Sequence, residues 1–234
     1  MIRTALVTGA TRGIGLKIAK ELALDNSGFG RVVMVVRPSS RVESAVQEVR
    51  ASAGGCEVIV IEAQLDHPAR LFEVYDQLAA LSIEVHVIVN NAGYSNPTSI
   101  VEADLDDLEL TMRVNVFTPF ELVKLALLRA HPLTHIINIS STAGISGRSG
   151  WLSYSTSKAA LINLSEGMRE ELRPQGIDVV CLSPGRCATD LRSRLAPDED
   201  PSSIMQPEQV ATIVQLMTTK AGMLLSSQNI VVRT

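Results

Sequence analysis

The sequence predicts an α/β fold: a doubly wound, mostly parallel sheet of seven strands with helices on both faces. Three observations carry that reading. Short apolar runs alternate with longer amphipathic stretches along the chain. The runs are rich in Val and Ile and bounded by polar residues, as strands covered on both faces are. The 234 residues accommodate seven such units as one domain, 1–234.

Thr4–Val7 is the first strand, and Ile14–Leu24 has the spacing of a helix with one apolar face. Val32–Val36 is the second strand, followed by a helix over Val42–Ala51. Val58–Ile61 and Ala69–Ala80 repeat the unit. Val85–Val89 is the fourth strand, and Leu105–Arg129 is read as one long helix. Ile136–Ile139, the helix Tyr154–Arg173 and Val179–Leu182 follow. Ser183–Pro207 breaks the rhythm with Pro184, Pro197, Pro201 and Pro207 and the acidic run Asp198-Glu199-Asp200. A connection of that length is expected to be a functional loop, and about 186–206 is read as a lid over a substrate. Asn229–Val232 is the last strand.

Composition removes several function classes. Lys and Arg total 21 against 25 Asp and Glu, for a net charge of −4, so nothing favours nucleic acid or an anionic membrane. Aromatic residues are 3% of the chain, too few for a binder that stacks bases. No apolar run is long enough to span a bilayer. Cys56, Cys181 and Cys187 are odd in number and widely spaced, which reads as free thiols in a reducing compartment. Neither they nor the four histidines have metal-ligand spacing, so no metal is expected. The start of the chain lacks the form of a signal peptide, and the expected location is the cytoplasm.

Thr8-Gly9-Ala10-Thr11-Arg12-Gly13-Ile14-Gly15 joins the first strand to the first helix, the context of a phosphate-cradling loop. Gly9 suits the tight turn, Gly13 a close approach of backbone to a diphosphate, and Gly15 close packing of helix on strand. An acid normally follows the second strand to take a ribose 2′-hydroxyl. Here Val36-Arg37 stands instead. Arg37, and Arg12 within the loop, match a 2′-phosphate, although both also suit solvated surface positions. NADP(H) is therefore expected over NAD(H).

Ser141 follows the fifth strand, and Tyr154 and Lys158 lie at i and i+4 on one helix face. A free phenol has a pKa near 10. A neighbouring ammonium and the positive nicotinamide would favour the phenolate and lower that value, so that Tyr154 exchanges a proton with a carbonyl or alcohol oxygen. Ser141 would hold the same oxygen. Trp151 suits either a pocket wall or packing at the helix start.

With these residues the chain resembles the short-chain dehydrogenase/reductase family, whose compact members have a Rossmann-type fold. The matching pieces run in family order: Thr8 to Gly15, Asp66, Asn90-Asn91-Ala92-Gly93, Asn115, Ser141, Tyr154-x-x-x-Lys158 and Pro184-Gly185-x-x-x-Thr189. The resemblance implies that Tyr154 is the general acid and that Lys158 lowers its pKa and holds the nicotinamide ribose. It implies that Ser141 orients the carbonyl and that Asn115 anchors a water linking Lys158 to solvent, in a helix distorted there, with Pro119 fitting a kink. Asp66 would meet the adenine edge, with His67 contributing backbone. Asn91, Ala92 and Gly93 would line the cofactor, as would Thr11, Ile14, Pro184 and Gly185. The backbone around Cys187, with Thr189, would hold the carboxamide.

The implied activity is NADPH-dependent reduction of an aldehyde, ketone or keto acid, reversible as alcohol oxidation. A 3-oxoacyl thioester reductase is the alternative. The end Ile230-Val231-Val232-Arg233-Thr234 departs from the Asp-Gly-Gly tail of that branch and counts mildly against it. The polar segment Arg192–Met205 does not favour a steroid-like substrate. A non-catalytic NADP(H)-binding sensor would be expected to lack Tyr154, Lys158 or Ser141, and a nucleotide-sugar epimerase needs a larger C-terminal part. Relatives pair through their long helices, which implies a homodimer or homotetramer. Phe117, Leu122, Leu125 and Leu128, or Leu161, Leu164 and Met168, suit such a face or the sheet.

Overall fold

The Val- and Ile-rich runs pair side by side because only a covered sheet satisfies their backbone while burying both faces. In the computed structural model, which describes residues 2–224 and 229–233, they form a seven-stranded sheet. The strands are β1 (Thr4–Thr8), β2 (Arg31–Val36), β3 (Glu57–Glu62), β4 (Val87–Asn90), β5 (His135–Ile139), β6 (Asp178–Pro184) and β7 (Asn229–Val232). Their order is β3-β2-β1-β4-β5-β6-β7. Every pairing is parallel, so the expected "mostly parallel" sheet is parallel throughout.

Helices α1 (Gly13–Leu22), α2 (Val42–Arg50) and α8 (Pro207–Met217) cover one face, against Val7, Met34, Val89 and Leu182. Helices α3 (Pro68–Ala80), α5 (Thr118–Leu128) and α6 (Leu152–Leu172) cover the other, against Leu6, Val35, Ile88 and Ile136. Alternate residues of one strand thus serve two cores.

Three elements differ from the sequence reading. The expected helix over Leu105–Arg129 is α4 (Leu105–Met112), a π-helical turn at Arg113–Phe117, and α5. The connection Ser183–Pro207 holds the short helix α7 (Asp190–Leu195) and a 3₁₀ turn at Pro201–Ser203. Its base is closed by a bridge of Cys187 with Met205, through Ala188 N–H to Met205 C=O (2.8 Å) and Met205 N–H to Arg186 C=O (3.2 Å). Helix α8 went unread. Pro207 occupies its first turn, where a missing N–H costs nothing, and Gln206 with Gln209 forms a capping box. A last helix, α9 (Lys220–Met223), follows it.

The chain leaves β1 toward β2 and later returns to place β4 on the other side of β1. At such a reversal the connections diverge and leave a crevice beyond the strand ends. The residues expected to bind cofactor or substrate belong to connections at or near that edge.

Candidate active site

Two tight contacts close the crevice at its centre. Thr8 Oγ1 accepts the N–H of Asn91 and of Ala92, each at 3.0 Å. The Asn91 amide donates to the Thr8 and Gly9 carbonyls at 3.0 and 3.3 Å. Gly9 has φ +69°, and a Cβ there would stand 2.8 Å from Ala92 Cα. A Cβ on Gly15 would collide with the Gly9 carbonyl and the Asn91 amide. The glycines are therefore required by the β1–β4 junction as well as by any ligand.

Beyond the junction lies a cleft of about 530 Å³. Its walls contain Gly9, Thr11, Arg12, Gly13, Ile14 and Gly15 from the first loop, and Arg37 and Asp66 from the ends of β2 and β3. They continue with Asn91, Ala92 and Gly93, then Ser141, Tyr154 and Lys158, and finally Pro184, Gly185, Cys187 and Thr189. The α1 N-terminus opens onto this cleft with no side-chain cap and no acid in its first turn. Its free N–H groups and dipole are left for an anion. An anion cradle thus lies in the cleft, with Arg12 and Arg37 in the wall near it.

Two expected residues lie outside the cleft wall. His67 Nδ1 accepts the Ala69 N–H at 3.3 Å and caps α3, facing a neighbouring groove with Arg70 and Glu73. Asn115 is fully buried in the π turn. Its Oδ1 accepts the Tyr94 N–H at 2.8 Å, and its Nδ2 donates to the Tyr94 carbonyl at 3.0 Å and to Ser157 Oγ at 2.9 Å. It ties the segment after β4 to α6 through Tyr94 and Ser157.

At the other end, β5 and α6 present the reactive groups together. The Lys158 ammonium donates to the Ile139 carbonyl at 2.8 Å, and Ser140 Oγ donates to the Lys158 carbonyl at 2.8 Å. These two bonds fix α6 against the end of β5. Lys158 Nζ lies 5.7 Å from the Tyr154 ring centroid. Trp151 packs edge-on against Tyr154, centroids 5.5 Å apart, and also lines the cleft, so it fills both of the roles expected for it.

The electrostatics differ from the simple expectation. Desolvation raises the Tyr154 phenol above its ordinary value, while the Ser141 hydroxyl and the Arg148 charge pull it back. Burial brings Lys158 down to about 8. In the protein alone burial therefore outweighs Ser141 and Arg148, and the phenol remains a proton donor. That state suits an acid in reduction.

Sequence reasoning missed several residues in the cleft wall or paired with it. Arg41, at the start of α2, reaches Asp190 at 2.5 Å, and Arg12 reaches the same carboxylate at 3.4 Å. Glu199, the middle acid of the Asp198–Asp200 run, binds Arg192 at 2.5 and 2.8 Å and Arg186 at 2.9 Å. Arg148 and Tyr94 also line the cleft. No local motif marks any of them.

The family model for short chain dehydrogenases matches residues 3–200. The chain belongs to that family. As a short chain dehydrogenase it is an NAD(P)-dependent oxidoreductase acting on CH–OH and C=O groups. It is 33% identical over 93% of its length to the 3-oxoacyl-[acyl-carrier-protein] reductase of Synechocystis sp., 89% of which is covered. The Aquifex aeolicus protein of the same name is 29% identical, with 93% and 90% covered. A short chain dehydrogenase from Burkholderia cenocepacia, solved in complex with NADP, superposes with a TM-score of 0.85 at 27% identity, covering 98% of this chain and 96% of that one.

Proposed function

We propose that this short chain dehydrogenase is a cytoplasmic NADPH-dependent carbonyl reductase, reversible as an alcohol dehydrogenase. One observation carries the reading: Ser141, Tyr154 and Lys158 converge at one end of a cleft whose other end is a glycine loop flanked by Arg12 and Arg37. Arg37 has no acidic partner among the described residues and suits the 2′-phosphate. NADP in the Burkholderia structure supports the same preference. When bound, NADPH supplies the hydride.

The protein's own part is position and a proton. Ser141 orients the carbonyl oxygen, and Tyr154 gives that oxygen its proton. Lys158 holds the nicotinamide ribose and stabilises the phenolate that results. Asn115 is a positioning residue through Tyr94 and Ser157. The three cysteines are free, as the cytoplasm keeps them. Segment 186–206 serves as the substrate lid, and the working form is a homodimer or homotetramer.

The names of the Synechocystis and Aquifex relatives favour a second reading, reduction of a 3-oxoacyl thioester. The test is NADPH absorbance loss against aldehydes, diketones, oxo acids and a 3-oxoacyl thioester, beside Tyr154→Phe. Turnover with one group is expected, reduced by at least about a hundredfold in the variant, with NADPH binding retained. Tight NADPH binding without turnover of any would favour the sensor.

A further inference from the structure

The cleft wall is strongly cationic, and most of its charges are answered. Arg12 shares Asp190 with Arg41. Arg186 and Arg192 close on Glu199. Lys158 donates to the Ile139 carbonyl. Among the described residues, Arg37 and Arg148 are the cleft arginines with no acidic partner. They belong to opposite ends. Arg37 follows β2 at the adenosine end, where the 2′-phosphate answers it.

Arg148 lies on the turn between Ser141 and Tyr154, so nothing on the cofactor's phosphates reaches it. Those phosphates belong at the α1 N-terminus and beside Arg37. One side-chain bond and one backbone bond place the arginine on that turn. Its exposed side chain donates to Thr142 Oγ1 at 3.0 Å, and its carbonyl accepts the Trp151 N–H at 3.1 Å, closing the turn just ahead of α6. Its guanidinium is close enough to the Tyr154 phenol to act on its ionisation. Leu110, Val114 and Trp151 line the cleft with it. A small molecule there meets apolar walls, a proton donor and one unanswered cation. A guanidinium forms its strongest bonds with a carboxylate, two at a time.

We infer that the substrate is an oxo acid, whose carboxylate pairs with Arg148 while its carbonyl oxygen faces Tyr154 and Ser141. The inference rests on the reductase reading and narrows its substrate class. The step balances with one proton drawn from solvent, which restores the Tyr154 phenol after it has given up its own. The carbonyl carbon takes hydride from NADPH, the oxygen takes the Tyr154 proton, and the C=O π bond breaks. The products are a hydroxy acid and NADP⁺, with the carboxylate unchanged.

Matched pairs test it: short 2-oxo and 3-oxo acids against their methyl esters, and a 3-oxoacyl thioester, with wild type, Arg148→Gln and Arg148→Lys. Wild type is expected to prefer acid over ester in kcat/KM. The preference should collapse by about a hundredfold in Arg148→Gln, mainly through KM, and recover in part in Arg148→Lys. NADPH fluorescence titration confirms that the variants keep the cofactor site. Equal turnover of esters, preference for the thioester, or an equal loss on acids and esters in Arg148→Gln would overturn the inference and leave the reductase reading standing. No NADPH-dependent turnover of any of them would overturn both.

Discussion

Lys158 occupies a place where an ammonium is costly. It is buried, its charge answered by one carbonyl at 2.8 Å, and its pKa falls to about 8 from the usual 10.5. Between those values the unfolded chain keeps the proton and the folded chain has released it, so this group makes stability rise with pH across that window. The cost of the buried charge is fully present below pH 8. Lys158→Met should remove it. The stability difference between wild type and Lys158→Met, measured by urea unfolding from pH 7 to 10.5 without cofactor, should move in favour of wild type by up to about 3 kcal/mol. A pH-independent difference would mean that the lysine is not strained. The pair Tyr154 and Lys158 was legible because helix geometry makes i and i+4 neighbours. Arg148 was not, because its meaning lies in which other arginines have partners. Arg41 and Asp190 are 149 positions apart, and no local pattern joins them.

The elements show the same division. Strand runs and amphipathic helices were legible because burial on both faces imposes composition. The helix expected over Leu105–Arg129 was read with a distortion at Asn115, and the π turn Arg113–Phe117 sits there, with Pro119 in the first turn of α5. The segment 186–206 was the least legible, since its order comes from Glu199 gripping two arginines rather than from periodicity. Those bonds hold the Glu199 carboxyl down to about 2. Its contribution is therefore present above the ordinary carboxylate range and lost as pH falls toward 2. Glu199→Gln should free Arg186 and Arg192, speed protease cleavage within 186–206 on the order of tenfold, and raise KM for the carbonyl substrate while sparing NADPH affinity. Unchanged cleavage and KM would show that the clamp does not hold the proposed lid.

The assembled chain leaves one apolar face unexplained by its own core. Helix α5 is apolar nearly all round, so the sequence could not separate its sheet side from its outer side. The structure does. Leu122 and Leu125, with Leu161 and Met168 of α6, are buried in the core, and Leu164 packs against it. Those members of the expected pairing face therefore point inward. Phe117, Phe120 and Leu128 point outward at 46%, 45% and 72% exposure. Large apolar groups clustered on the π turn and α5 mark an association surface, and a stable one covers about 800 Å² per partner. Light scattering after size exclusion should give a multiple of 25.2 kDa, and Phe117→Glu with Phe120→Glu should shift it toward that mass. Neither phenylalanine lines the cleft, so the dissociated variant should still bind NADPH. Its turnover then decides whether assembly matters to the chemistry. Retained kcat would mean that each cleft is complete within one chain, whereas lost kcat with NADPH still bound would mean that pairing holds α5 and the π turn, and through Asn115 the Tyr94 segment, in their working positions. A wild-type mass of 25.2 kDa alone would remove the association and leave those side chains without a partner.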